Sequence, residues 1–172
     1  MTRPTVTAAK ADGCAEYLKA LTSMGHIPSI FTLKMGRAWE AQPLPTWVTL
    51  GPMRQCYENA GTLCIENRGL TYVEGYAQPP GLPPVHHAWC VDTEGRVIDN
   101  TFRDSGLSQY FGVPIRAETL RVLVEETRRW GLFAEMMTPE LLLRAVDEVQ
   151  AGSYAVDPIE VAAVRALIER HG

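Results

Sequence analysis

Three side chains within one stretch of this chain could together open an acyl bond: Cys56, His87 and Asp99. A thiol becomes a strong nucleophile once its proton has left. A nearby imidazole can take that proton, and a carboxylate behind the ring can hold it in the right tautomer and orientation. The chemistry open to such a set is acyl transfer through a thioester. Gln55 and Asn59 flank the cysteine and Trp89 follows the histidine, and these are the side chains that could bind substrate or a developing oxyanion. The backbone amides of Cys56 and a neighbour could share in that. His86 competes with His87, because alternation along a strand sends adjacent residues to opposite faces, so only one of them can face the cysteine. The residue pattern leaves that choice open.

Holding these groups in place requires a helix and a hairpin. Cys56, Ala60, Leu63 and Cys64 fall at i, i+4, i+7 and i+8, which predicts a helix over 54–67 between Gly51-Pro52 and Gly69. Cys56 then lies in the first turn, where unpaired amide hydrogens and the helix dipole favour negative charge. Thr71–Ala77, His86–Val91 and Arg96–Phe102 read as strands, with a Pro-rich loop at 78–85 and a tight turn at Thr93-Glu94-Gly95. Such a hairpin sets positions near 87–89 opposite positions near 99–101. The expected fold is α+β, with a nucleophile-bearing helix packed on an antiparallel β-meander and helices flanking it on both sides. One domain over 1–172 is expected, with a core at 54–115, an N-terminal helical region at 8–52 and C-terminal helices at 117–171.

The flanking regions are less structured in their signals. Cys14, Tyr17, Leu18, Leu21 and Met24 mark an amphipathic helix over 12–24, capped by Asp12 and ended by Gly25. Residues 26–52 carry Gly36, Pro43, Pro45, Gly51 and Pro52 without a clear period, and Trp39 and Trp47 are expected to pack under an extended segment. Residues 110–115 read as a short extended piece. Leu120, Leu123, Val124 and Thr127 mark a helix ending at Trp130-Gly131. Thr138-Pro139-Glu140 and Asp157-Pro158 each start a helix, the last with Ile159, Ala162, Ala163 and Ala166 on one side.

Composition limits the partners. The chain has 172 residues and a formal net charge of −4, which gives no electrostatic footprint for nucleic acid. The cluster of Arg116, Arg121, Arg128 and Arg129 reads as a solvated helix end. No run approaches the roughly 18 apolar residues of a spanning helix, so no membrane contact is expected. The N-terminal residues lack the apolar run of a signal peptide, and the four cysteines have no paired spacing. Reduced thiols and a cytoplasmic location follow as expectations. No cofactor is expected and no calcium-loop pattern is present. A zinc site from Cys56, His86 or His87, and Asp99 is a further reading, but the short Cys-x-x-Cys or His-x-x-x-His pairs are missing.

The string His87-Ala88-Trp89, followed after Gly95 by Val97-Ile98-Asp99-x-Thr101, resembles the His and Asp motifs of transglutaminase-like proteins in the papain-like cysteine-enzyme superfamily. The resemblance implies a helix-borne Cys56 as nucleophile, His87 as base and Asp99 as its orienter. It thereby chooses His87 over His86. Tyr110-Phe111-Gly112-Val113-Pro114 also resembles a segment of uncharacterised bacterial and phage proteins with this core. The likeness covers about 54–115. Two positions depart from it: Arg54 stands where the family often has Gly two residues before its Cys, and Asn100 replaces the Pro of Asp-Pro-Thr. The family supports cross-linking, deamidation and hydrolysis, so fold alone does not select the reaction. The implied activity is hydrolysis of an amide or peptide bond in a peptide, protein or small amide. The alternative is a catalytically silent domain that binds another protein.

Overall fold

A computed structural model describes residues 12–132, 140, 143–147 and 157–171. The helix start expected at Thr138-Pro139 and residues 8–11 of the N-terminal region lie outside the described residues.

The elements run α1 (Asp12–Ser23), α2 (Ile27–Met35), β1 (Arg37–Trp39), α3 (Cys56–Glu66), β2 (Thr71–Gln78), β3 (Val85–Val91), β4 (Val97–Ile98), β5 (Gln109–Ile115), α4 (Ala117–Thr127) and α5 (Pro158–His171). The five strands form one antiparallel sheet in the order β1-β5-β2-β3-β4. The sheet curls until its edges meet: Glu40, just past β1, bridges to Arg96, and the Val97 amide donates to the Glu40 carbonyl at 2.9 Å. The architecture is therefore mixed α+β.

Strand alternation sorts the side chains into two cores. Trp39, Val73, Ala77, Trp89, Val91, Val97 and Tyr110 cluster on the concave face. Tyr72, Ala88, Cys90, Val113 and Ile115 lie on the outer face, in one cluster with Ala60 and Cys64 of α3 and Leu120 and Leu123 of α4. Small residues let α3 approach closely, and the Cys90 thiol donates to the Ala60 carbonyl at 3.1 Å. Gly75 and Gly112 face each other across β2 and β5. A Cβ on Gly75 would stand 2.3 Å from the Phe111 carbonyl oxygen, so only glycine fits where these strands close on each other.

Several expectations need correction. Residues 27–35 form α2, which the pattern concealed because polar Ser29 and Thr32 are buried with Phe31 and Met35 and only Lys34 is exposed, so it shows little polar contrast. Trp39 is buried, but Trp47 is 58 % exposed rather than packed beneath a segment. α5 buries Val161, Val164 and Ile168, whereas Ile159, Ala162 and Ala163 are exposed. Val161, Val164 and Ile168 stand at i, i+3 and i+7, so their face gathers more apolar area than one isoleucine with alanines. The strand expected over 96–102 shortens to Val97–Ile98. Asp99 ends it, since its Oδ1 accepts from the Thr101 and Phe102 amides at 2.8 and 3.2 Å and draws the chain out of the sheet.

Candidate active site

α3 begins at Cys56 because Gln55 departs from helical geometry, with φ −117° and ψ 36°, and no side chain caps the end. The first helical bond runs from the Asn59 amide to the Gln55 carbonyl at 2.8 Å, so the helix start presents amide hydrogens with no intrahelical acceptor. Two asparagines join this turn to the segment after β4. Asn59 Nδ2 donates to the Pro52 carbonyl at 2.8 Å and to Thr101 Oγ1 at 3.0 Å. Asn100 Nδ2 donates to the Asn59 carbonyl at 3.2 Å. The loop before the helix is held to the same segment by the Gly51 amide on the Asn100 carbonyl, at 2.7 Å.

The choice between the two histidines, which alternation leaves open, is made by the fold. His86 shares the outer face with Ala88 and Cys90, and its Nε2 meets the Tyr76 hydroxyl at 2.7 Å. His87 lies on the concave face with Trp89 and Val91. It nevertheless meets the cysteine, because the first turn of α3 stands beside the segment that follows β4 and not over the middle of the sheet. The register pairs Cys90 with Ile98 and Val91 with Val97, which carries Asp99 to the level of Trp89. His87 is then its diagonal neighbour, within reach of a long side chain.

The resulting geometry is tight. His87 Nε2 lies 2.8 Å from Asp99 Oδ2, with 2 % and 0 % of the two side chains exposed. With Nε2 engaged there, Nδ1 is the ring nitrogen left for the Cys56 thiol. Cys56 is among the groups near enough to the ring to raise its pKa. Cys56 itself is 9 % exposed, the most open of the four cysteines. Phe102 stacks flat on the imidazole, centroid to centroid 4.0 Å at 9°.

The electrostatics follow from this packing. Burial disfavours a charged His87, but the Asp99 carboxylate and then the thiol outweigh it and raise its pKa to about 9. Burial likewise opposes the Asp99 carboxylate, yet the His87 charge, its hydrogen bond, the Thr101 amide and the Tyr110 hydroxyl hold it below the ordinary value. The pair therefore stands as imidazolium and carboxylate at neutral pH. Because the His87 pKa is higher in the folded chain, its contribution is fully present below about pH 6.5 and is lost as pH rises through about 9. At about 1.4 kcal/mol per pH unit the loss is on the order of 3 kcal/mol. Denaturant midpoints measured from pH 6 to 10 should fall across that window. A midpoint that stays level there would show that the ring is not held protonated.

Two contributors escaped sequence reading. Tyr110 donates its hydroxyl to Asp99 Oδ2 at 2.8 Å, and Phe102 covers the ring. Tyr110 reaches Asp99 from β5 across the concave face. No spacing along the chain signals that contact, since the pairing of β5 with β2 is what creates it. Of the residues expected to bind substrate or an oxyanion, Gln55 is at the surface. Asn59 has both amide hydrogens engaged, and Trp89 is fully buried, packed 5.0 Å from the Tyr110 ring, so these two stand behind the site as supports. Among the described residues, no three His, Cys, Asp or Glu side chains are placed to hold a metal ion. No helix among them is long and apolar enough to cross a membrane.

Comparison with family models, with curated proteins and with solved structures returns no match for this chain.

Proposed function

We propose that this chain is a cysteine-dependent acyl-transfer enzyme that hydrolyses an amide or peptide bond, with a transglutaminase-like arrangement of its core. The observation that carries the reading is the buried His87–Asp99 pair, with the Cys56 thiol against the same ring at a helix start. A protonated imidazole deep in a fold is costly unless it is paired, and Asp99 pairs with it here. An imidazolium held in this way can stand as counter-ion to a thiolate whose proton it has taken. Arg54 supports the resemblance, because it stands where that family has Gly and its φ of 66° is the left-handed conformation a glycine takes freely.

In the reaction, sulfur attacks the carbonyl carbon while His87 Nδ1 holds the thiol proton. The oxyanion is met by amide hydrogens of the helix start, with Gln55 beside them. His87 then protonates the leaving amine, and the acyl group remains on Cys56 as a thioester. Water, deprotonated by the same ring, releases the acid and restores the thiol. Asp99 orients and stabilises the imidazolium throughout.

The test is chemical. Iodoacetamide at pH 7 should alkylate Cys56 before the other thiols, and activated ester and amide probes should be turned over at a rate that alkylation removes. Cys14 is fully buried with its pKa pushed up to about 12, and burial also raises Cys90. Cys64 is the competitor, since the neighbouring Cys90 thiol lowers its pKa. Labelling at Cys64 ahead of Cys56, with no probe consumed, leaves a protein-binding module as the function.

A further inference from the structure

Two thiols that the proposed reaction does not use meet where α3 packs on the sheet. Cys64 stands one turn beyond Ala60 on the same face of α3, and the Cys90 thiol of β3 lies 3.1 Å from the Ala60 carbonyl. The Cys64 thiol in turn lies 3.5 Å from the Leu70 carbonyl, just before β2, and Tyr72, two residues on, is the register partner of Cys90. One face of α3 and one end of β2 thus bracket both sulfurs. The neighbouring Cys90 thiol lowers the pKa of Cys64 against the effect of burial, whereas burial first and then Cys64 raise that of Cys90.

The pair is unequal in access as well. Cys90 is fully buried, but Cys64 lines a cavity of about 450 Å³ between the end of α3 and the start of α4. Leu70, whose carbonyl the Cys64 thiol meets, lines the same cavity, together with Asn67, Arg68, Thr71 and Arg116. Polar walls of this kind admit water and small polar oxidants. A thiol that ionises readily, reached from a polar cavity and backed by a second thiol, is the arrangement that reacts with peroxide and resolves the product as a disulfide.

We infer that Cys64 and Cys90 are a peroxide-responsive dithiol: a hydroperoxide entering the cavity oxidises Cys64, and Cys90 then closes a disulfide with it. In the first step the Cys64 sulfur attacks the outer peroxide oxygen. An S–O bond forms, the O–O bond breaks, and the leaving alkoxide takes the thiol proton, so sulfur is oxidised to a sulfenic acid and the peroxide is reduced to an alcohol. In the second step the Cys90 sulfur attacks the sulfenic sulfur. An S–S bond forms, the S–O bond breaks, and the Cys90 proton leaves with the hydroxide as water. The bond joins the helix that bears Cys56 to the strand that bears His87. The inference stands apart from the acyl-transfer reading, because neither thiol takes part in that reaction.

The experiment uses the full chain carrying Cys56→Ser, because trypsin releases Cys56 and Cys64 together on 55–68 and Cys90 on 69–96. The folded chain is treated with about one equivalent of hydrogen peroxide, alkylated, digested and mapped by mass spectrometry. The two peptides should be found joined, and dithiothreitol should part them. The joined form should appear about tenfold faster than any oxidation of the fully buried Cys14. With Cys90→Ser added, dimedone should trap a sulfenic acid at Cys64. Cys64 left reduced at a dose that oxidises free cysteine would overturn the inference, and so would Cys64 carried to sulfinic acid with no link to Cys90. A link that forms equally well in urea would overturn it too, since the folded contact would then not be its cause. If Cys90→Ser does not fold, the peptide map of the chain with both thiols decides alone.

Discussion

Replacing Cys56 with serine should lower kcat/KM on activated amide probes by about 10⁴-fold or more, with the fold left intact. A hydroxyl is far harder to ionise than a thiol, and an imidazolium already carrying its proton from pH 6.5 up to about 9 is poorly placed to take another from it. Cys56 lies at the rim of the packed region, and the exchange removes no side-chain bulk from either core. The melting temperature should therefore move by only a degree or two, within the range of a substitution that costs less than about 1 kcal/mol. Single-turnover measurements on an ester probe give the decisive reading: wild type should show a rapid first turnover as the thioester forms, and the variant none. Unchanged hydrolysis in Cys56→Ser would remove the nucleophile and with it the proposed function.

The second large effect concerns Asp99, where stability and chemistry should separate. All four of its hydrogen bonds come from fixed donors: His87 and Tyr110 on Oδ2, and the Thr101 and Phe102 amides on Oδ1. Asp99→Ala leaves His87 buried without its counter-charge and orphans the Tyr110 hydroxyl. Breaking a buried pair in this way costs about 3–5 kcal/mol. For a chain of this size that lowers the melting temperature by about 10 °C. Asp99→Asn keeps the shape and some of the hydrogen bonds, so its stability loss should be smaller. Its kcat should still fall by about 10⁴-fold, because an amide neither stabilises the imidazolium nor selects the tautomer that leaves Nδ1 facing sulfur. Thermal melts and probe kinetics on the two variants check this together. Equal losses of stability and activity in both would make Asp99 a packing residue and nothing more.

Much of the candidate site was legible along the chain, for local reasons. The helix from Cys56 to Glu66 shows in its i, i+4, i+7, i+8 stripe and its glycine boundaries, and β2 and β3 show in their β-branched and aromatic runs. The short hairpin at 92–96 carries Asp99 back to His87 within twelve residues, so that contact follows from register alone. Asp157 and Pro158 likewise announced α5, where Asp157 Oδ1 accepts from the Ile159 amide at 2.8 Å.

The types and order of the reactive residues, the elements that bear them and the hairpin between His87 and Asp99 belong to the sequence by itself, because each depends on contacts a few residues away. Tertiary structure decided the rest. It inserted β5 between β1 and β2, curled the sheet until Glu40 met Arg96, and so sent Tyr110 across the concave face to Asp99. It also set His87 on the face opposite α3 and still joined it to Cys56, through Asn59 and Asn100 at the end of the sheet. Local periodicity records which faces of a segment are apolar. It carries no record of which distant segment covers them, since that choice is made by the summed packing of the whole core.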